Sequence, residues 1–87
     1  MNEFFEKLAS KLKPYSLKAE FTDTEIIIKL NTINNPSPEP TIKSLNSFFQ
    51  QNFSNARAES IGMQANYHYI AIRGLSREGI QSVKEAL

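Results

Sequence analysis

A chain of 87 residues with a formal net charge of +1 is long enough for one small domain. Forty per cent of its residues are apolar and six are phenylalanine, which excludes an intrinsically disordered composition. The near-neutral charge excludes long-range steering toward nucleic acid or anionic membranes except through a local patch, and the lack of cysteine excludes disulfides and thiolate chemistry.

The chain has no predicted export or membrane signal. Residues 1–7 carry acids where a signal peptide needs basic residues before an apolar run. No stretch approaches the ~18 apolar residues of a membrane span. We therefore expect a cytoplasmic protein without a membrane partner.

The first predicted element is an amphipathic helix over residues 3–13. Acidic residues begin it and lysines end it, which suits the helix dipole. Pro14 ends the helix, because a proline disfavours helical geometry in the residue before it. The apolar stripe of this helix is Phe4, Phe5, Leu8, Ala9 and Leu12.

Two strands joined at Asp23-Thr24 are predicted next. Apolar and polar residues alternate over 17–22, which is typical of a half-buried strand. Residues 25–33 are rich in isoleucine, which favours a second strand. The buried rows are predicted to be Leu17, Ala19 and Phe21, and then Ile26, Ile28 and Leu30.

Residues 34–40 contain three prolines on alternate positions and predict a stiff, extended connector. Thr41 is expected to cap a second helix, and strands over 56–63 and 67–73, joined through 64–66, are expected to follow it. Ser76 is expected to cap the last helix. The buried faces of these helices are predicted to be Ile42, Leu45, Phe48 and Phe49, with Phe53 as a further candidate, and Ile80, Val83 and Leu87.

The element order α-β-β-α-β-β-α predicts an α+β fold. We expect one domain over residues 1–87, with a two-layer architecture in which a four-stranded antiparallel sheet carries helices on at least one face.

Two stretches 44 positions apart match and indicate a possible internal α-β-β pseudo-repeat. Its halves would be residues 1–33 and 41–75, separated by the connector 34–40. Chance apolar patterning is the alternative. The matching pairs are Phe4-Phe5 and Phe48-Phe49, Ser10 and Ser54, Ile26 and Ile70, Ile28 and Ile72, and Lys29 and Arg73.

Successive side chains of a strand point to opposite faces of the sheet, so the buried rows also identify the residues that face away from the helices. In the third strand the small residues of one row suit a close helix, so the row from Arg57 to Met63 is assigned outward. The expected outward face therefore consists of Lys18, Glu20, Ile27, Lys29, Arg57, Glu59, Ile61, Met63, Tyr67, Tyr69, Ala71 and Arg73.

We expect this face to bind protein, because Tyr, Met and Arg are favoured in interface cores. The candidate partner-binding residues are Ile61, Met63, Tyr67, Tyr69 and Arg73. The prediction is a small non-enzymatic binding module, regulator or inhibitor that forms a homodimer.

Two alternatives for this face stay open. A single-stranded nucleic-acid binder would stack bases on the tyrosines and hold phosphates with basic residues. Glu20 and Glu59 on the same face count against that function. A helix that covers part of the face is the other alternative. The nucleic-acid site would consist of Lys18, Lys29, Tyr67, Tyr69 and Arg73.

Chemistry-bearing residues are few. The chain has one aspartate, Asp23, one histidine, His68, and no cysteine. With one histidine and no cysteine, a zinc site within one chain is not expected. We predict no catalytic residue, metal or cofactor, and we expect His68 to be a hydrogen-bonded residue at the rim of the sheet. A small enzyme with a site shared across a dimer interface is the third alternative.

The run Leu75-Ser76-Arg77-Glu78-Gly79-Ile80, which follows a tyrosine-rich strand, resembles the pterin carbinolamine dehydratases. Those are small α/β proteins that dehydrate pterin carbinolamines and act as dimerisation cofactors. The His-His-Pro cluster of that family has no counterpart here, because His68 stands alone. No activity or site residue is carried over from the resemblance.

Overall fold

A computed structural model describes residues 3–87, so the first two residues of the predicted domain and of its first half lie outside the described part. The predicted α+β class and element order are confirmed. The elements are α1 (Glu3–Leu12), a 3-10 helix (Lys13–Lys18), β1 (Glu20–Phe21), β2 (Glu25–Asn31), α2 (Glu39–Gln51), β3 (Arg57–Gln64), β4 (Tyr67–Arg73) and α3 (Arg77–Ala86).

The four strands form one antiparallel sheet in the order β1-β2-β4-β3. The two isoleucine-rich strands are therefore the central pair. Their register places Ile26 opposite Ile72 and Ile28 opposite Ile70, so both isoleucine rows lie on the same face of the sheet.

One hydrophobic core lies between that face and the helices. The predicted inner row of β2 is confirmed, because Ile26, Ile28 and Leu30 are all fully buried. All three α-helices contribute side chains to the same core, which gives the molecule two layers. The helical residues in the core are Leu8, Ala9, Leu12, Leu45, Phe48, Phe49, Ile80 and Val83.

The 44-residue spacing of the matching stretches relates the two central strands. Ile27 lies opposite Ala71, and these are two positions that the spacing equates. The Phe4 ring also stacks on the Phe48 ring, with centroids 5.4 Å apart and an angle of 12° between the planes. The positions 44 residues before β3 form mostly the 3-10 helix, and the pseudo-repeat stays a prediction.

The predicted strand over residues 17–22 is wrong at its start. The chain turns through the 3-10 helix to Lys18, and β1 keeps only Glu20 and Phe21. Pro14 lies in the first turn of the 3-10 helix, where its fixed φ angle suits a helical turn. Leu17, predicted to be buried, is 99% exposed as a result.

The second predicted strand ends two residues early, at Asn31. The Asn31 side-chain oxygen accepts a hydrogen bond from the Ile33 amide at 2.8 Å, and this local turn ends the strand. Ile33 is exposed outside the sheet.

The second helix begins at Glu39 and not at Thr41, so the predicted connector is shorter. Pro38 and Pro40 lie at its start, where a missing backbone N–H removes no helical hydrogen bond. At the other end, Phe53 adopts a left-handed conformation with φ of 53°. Its ring is 96% exposed, so its predicted place on the buried face is wrong.

The last helix begins as predicted. The Ser76 hydroxyl accepts a hydrogen bond from the Gly79 amide at 3.0 Å. Gly79 is buried against Phe5, and a Cβ at this position would lie 2.6 Å from the Phe5 ring. The glycine therefore allows α3 to pack closely on α1.

Candidate interaction face

The face of the sheet opposite the core is the candidate functional surface and is called the outer face below. Among residues 3–87, all three α-helices contribute to the other face. Strand register assigns these side chains to the outer face: Glu20, Glu25, Ile27, Lys29, Asn31, Arg57, Glu59, Gln64, Tyr67, Tyr69, Ala71 and Arg73. Ala71 lies between Ile27 and Glu59 and is fully buried by neighbouring side chains.

Arg73 joins three strands at one end of the outer face. Its Nε donates to Glu25 Oε2 at 2.9 Å, and its Nη1 donates to Glu59 Oε2 at 2.8 Å. Arg57 also forms an ion pair with Glu59. These contacts form a continuous chain of charges from β2 to β3 across β4, so the Arg73 guanidinium already has two carboxylate partners.

The ion pairs change the pKa values of this cluster. The hydrogen bond from Arg57 is the largest cause of a lowered pKa at Glu59. Desolvation opposes it, and the charges of Arg57 and Arg73 and the hydrogen bond from Arg73 add to the lowering. The hydrogen bond to Glu25 is the main cause of a raised pKa at Arg73.

Lysines lie over both tyrosines at the other end of the outer face. The Lys18 Nζ lies 4.2 Å from the centroid of the Tyr67 ring. It also donates a hydrogen bond to the Tyr67 hydroxyl. The Lys29 Nζ lies 5.5 Å from the centroid of the Tyr69 ring and 3.8 Å from Glu20 Oε1. Each cation–π contact is worth about 0.5–1 kcal/mol at an exposed site.

Five of the seven predicted site residues lie on the outer face, four of them at one end and Arg73 at the other. Tyr67, Tyr69 and Arg73 lie on the outer face as predicted, and Lys29 lies beside them. Lys18 reaches the same face from the end of the 3-10 helix.

Ile61 and Met63 do not complete the predicted cluster. The register of β3 against β4 shifts between Ser60 and Gly62, so Ile61 is the extra residue of a β-bulge. After the bulge Met63 lies opposite His68, which places it on the helix-covered side of the sheet. Its outward assignment is therefore wrong, because one extra residue reverses the alternation. In the sequence, a glycine inside a strand pattern is an indication of a bulge, and Gly62 has a positive φ of 122° in the structure.

Asn46 on α2 is a residue that sequence reasoning missed. Its side-chain oxygen accepts from the Ala58 amide at 2.8 Å, and its nitrogen donates to the Ala58 carbonyl at 3.1 Å. Both backbone groups of Ala58 face away from β4 and are held by this one side chain. The contact fixes α2 on β3 and occupies part of the free edge of the sheet.

His68 has the hydrogen-bonded position expected from the sequence. Its Nε2 lies 3.3 Å from the Pro36 carbonyl oxygen, near the end of the sheet. Within residues 3–87, no group of three or more His, Cys, Asp or Glu side chains could hold a metal ion. In the same part of the chain, no helix combines the length and the apolar character that crossing a membrane requires.

Comparison with protein-family models, curated proteins and solved structures finds no significant match. The comparisons therefore add no support to the resemblance to the pterin carbinolamine dehydratases.

Proposed function

We propose that this chain is a small non-enzymatic protein-binding domain that associates with a second copy of itself through the outer face. The observation that supports this most strongly is the one-sided packing of the helices. Within residues 3–87, Ile27, Tyr67 and Tyr69 are half-buried and lie on the face of the sheet opposite the three α-helices. Tyrosine and arginine are the residue types enriched in interface cores.

The charges of the outer face favour a second copy as the partner. Lys18, Lys29, Arg57 and Arg73 are balanced by Glu20, Glu25 and Glu59, so two identical faces repel one another little. Most of these charges are already paired within the chain. Covering the face would therefore leave few charges buried without a partner.

The size of the outer face predicts weak association. The strands contain 2, 7, 8 and 7 residues, and at a strand spacing of about 4.8 Å and a rise of about 3.4 Å per residue they project an area of roughly 400 Å². A standard interface takes about 800 Å² from each partner. We therefore expect a dissociation constant on the order of 100 µM for the homodimer. A regulator or inhibitor that dimerises this weakly would release its second copy and bind the surface of another protein with the same face.

Binding of single-stranded nucleic acid has less support. Arg73 is held by Glu25 and Glu59, so phosphate would compete with two carboxylates. Stacked bases would have to displace the lysines that lie over Tyr67 and Tyr69.

Sedimentation equilibrium tests the proposal. Between about 20 µM and 1 mM, on either side of the expected dissociation constant, the mass of the wild-type protein should rise from 9.9 kDa toward twice that value. Tyr69→Glu places a carboxylate in the centre of the proposed interface and should stay monomeric. Ser44→Glu adds the same charge to the exposed side of α2 and should behave as wild type.

Circular dichroism of both variants controls for folding, and Tyr69→Ser is a second, uncharged test at the same position. A wild-type mass that stays at 9.9 kDa up to about 1 mM would contradict the proposal. Equal association of folded Tyr69→Glu and wild type would contradict it as well.

A further inference from the structure

β2 lacks a neighbouring strand along part of one edge. β1 pairs with it only at Ile26 and Ile27, whereas β3 pairs along the whole length of β4. Beyond Ile27 the 3-10 helix replaces β1, and a cavity of about 240 Å³ lies between this helix and the last residues of β2.

The backbone of β2 faces this cavity. The Thr22 amide donates to the Glu25 carbonyl at 3.0 Å, so alternate residues from Glu25 onward direct their polar backbone groups toward the β1 side. Lys29 and Asn31 belong to that set. The Asn31 carbonyl already accepts from the Asn35 amide at 2.9 Å. Within residues 3–87, no backbone hydrogen bond joins the 3-10 helix to β2.

The walls of the cavity combine apolar and cationic groups. Pro14, Tyr15 and Leu17 supply apolar surface from the 3-10 helix. Lys18 and Lys29 supply two positive charges, and the lining contains no acidic side chain. Among the described residues, Lys18 forms no ion pair with a carboxylate, and Lys29 reaches only Glu20, at 3.8 Å.

The opposite edge of the sheet is less open to a new strand. Asn46 holds both backbone groups of Ala58, and the bulge at Ile61 interrupts the rest of β3. The β2 edge is therefore the better place for an added strand.

We propose that this cavity binds an extended acidic peptide segment of another protein, added to the sheet beside β2. The amide and carbonyl of Lys29 and the amide of Asn31 supply the backbone hydrogen bonds of strand addition, since the Asn31 carbonyl is already bonded to Asn35. Alternate peptide residues point to opposite faces, so acidic side chains meet Lys18 and Lys29 while apolar ones meet Leu17. This peptide binding is a second activity. It takes place at the edge of β2 and shares Lys18 and Lys29 with the outer face.

The test titrates an unlabelled peptide of alternating glutamate and valine, six residues long, into ¹⁵N-labelled protein and follows the amide NMR shifts of the protein. Lys18→Glu and Leu17→Asp should each weaken binding at least tenfold. The matched controls are Lys43→Glu, an exposed lysine on α2, and Phe53→Asp, an exposed apolar residue away from the cavity. Both controls should bind within twofold of wild type.

Three results would overturn the proposal: no binding up to 1 mM peptide, equal binding of the peptide with lysine in place of glutamate, or equal weakening by the controls. Strand addition also requires slower hydrogen exchange at the Lys29 amide on binding, and unchanged exchange there would overturn it too. The protein is kept at 10 µM, where the wild type is expected to be monomeric. Failure of homodimer formation and failure of peptide binding are therefore observed separately.

Discussion

Gly74 has a conformation that few other residues adopt, with φ of 93°. A Cβ at this position would lie 2.5 Å from the Asn55 carbonyl oxygen, which is backbone and cannot move aside easily. The glycine therefore allows the chain to leave β4 and pass closely beside the start of β3.

Gly74→Ala should lower the free energy of unfolding by about 2–3 kcal/mol, because strain and a backbone clash add. Gly62→Ala is the matched control, since Gly62 also has positive φ but a Cβ there would meet nothing within 4 Å. Gly62→Ala should lower the free energy of unfolding by only about 1 kcal/mol. Urea unfolding measures both losses, and equal losses would show that the close approach to Asn55 has no energetic effect.

Glu59 makes stability depend on pH in a predictable direction. Its pKa is lowered in the folded chain, first by the hydrogen bond from Arg57. Stability from a lowered carboxylate pKa is present above the unfolded-state pKa and is lost as pH falls through the folded-state pKa. Glu59→Gln should therefore be less stable than wild type at neutral pH, and the difference should shrink between about pH 5 and pH 2. Urea unfolding of both proteins across this pH range measures the difference in their free energy of unfolding. A difference that does not change with pH would contradict this role of Glu59.

Some residue contacts could be predicted from the sequence and others could not. The Ser76 cap was predictable because a cap depends on residues three positions apart. The partners of Arg73 were not, because Glu25 and Glu59 become its neighbours only through the register of three strands. Lys18 and Tyr67 were predicted on one face, but their direct contact depends on the 3-10 helix that replaces the predicted strand.

The contact between α2 and β3 depends strongly on one side chain. Asn46→Ala should lower the free energy of unfolding by about 1.5–3 kcal/mol, since it removes two hydrogen bonds and leaves the backbone groups of Ala58 without their partner. Ser44→Ala, at an exposed position of the same helix, should change it by less than about 0.5 kcal/mol. Thermal or urea unfolding distinguishes them, and a similar small effect of both changes would contradict this role of Asn46.

The central elements were predictable and the edges were not. In β2 and β4 the alternate isoleucines identify the buried side of each strand. No bulge interrupts the pairing of these two strands, so the alternation holds along their length. Leu17, Ala19 and Phe21 show the same alternation, yet Pro14 favours a helical turn and the strand shortens to two residues. In β3 one extra residue at Ile61 reverses the alternation that placed Met63 outward.

The architecture of the whole molecule leads to both proposed activities. A chain of 87 residues buries roughly 60–65% of its unfolded surface, so its core is small. All three helices are used on one face of the sheet, which leaves the tyrosines of β4 on the other. The short β1 leaves part of the β2 edge open. Association on the uncovered face would add buried surface to a domain that has little of its own.

The most direct test of self-association through the outer face is the concentration dependence of amide NMR shifts. Spectra recorded at 20 µM and 2 mM should differ mainly at residues of the outer face, foremost Ile27, Lys29, Tyr67, Tyr69 and Ala71. Resonances of the exposed side of α2 should not move. Shifts confined to the helices or to the β3 edge, or no shifts at all, would contradict the account.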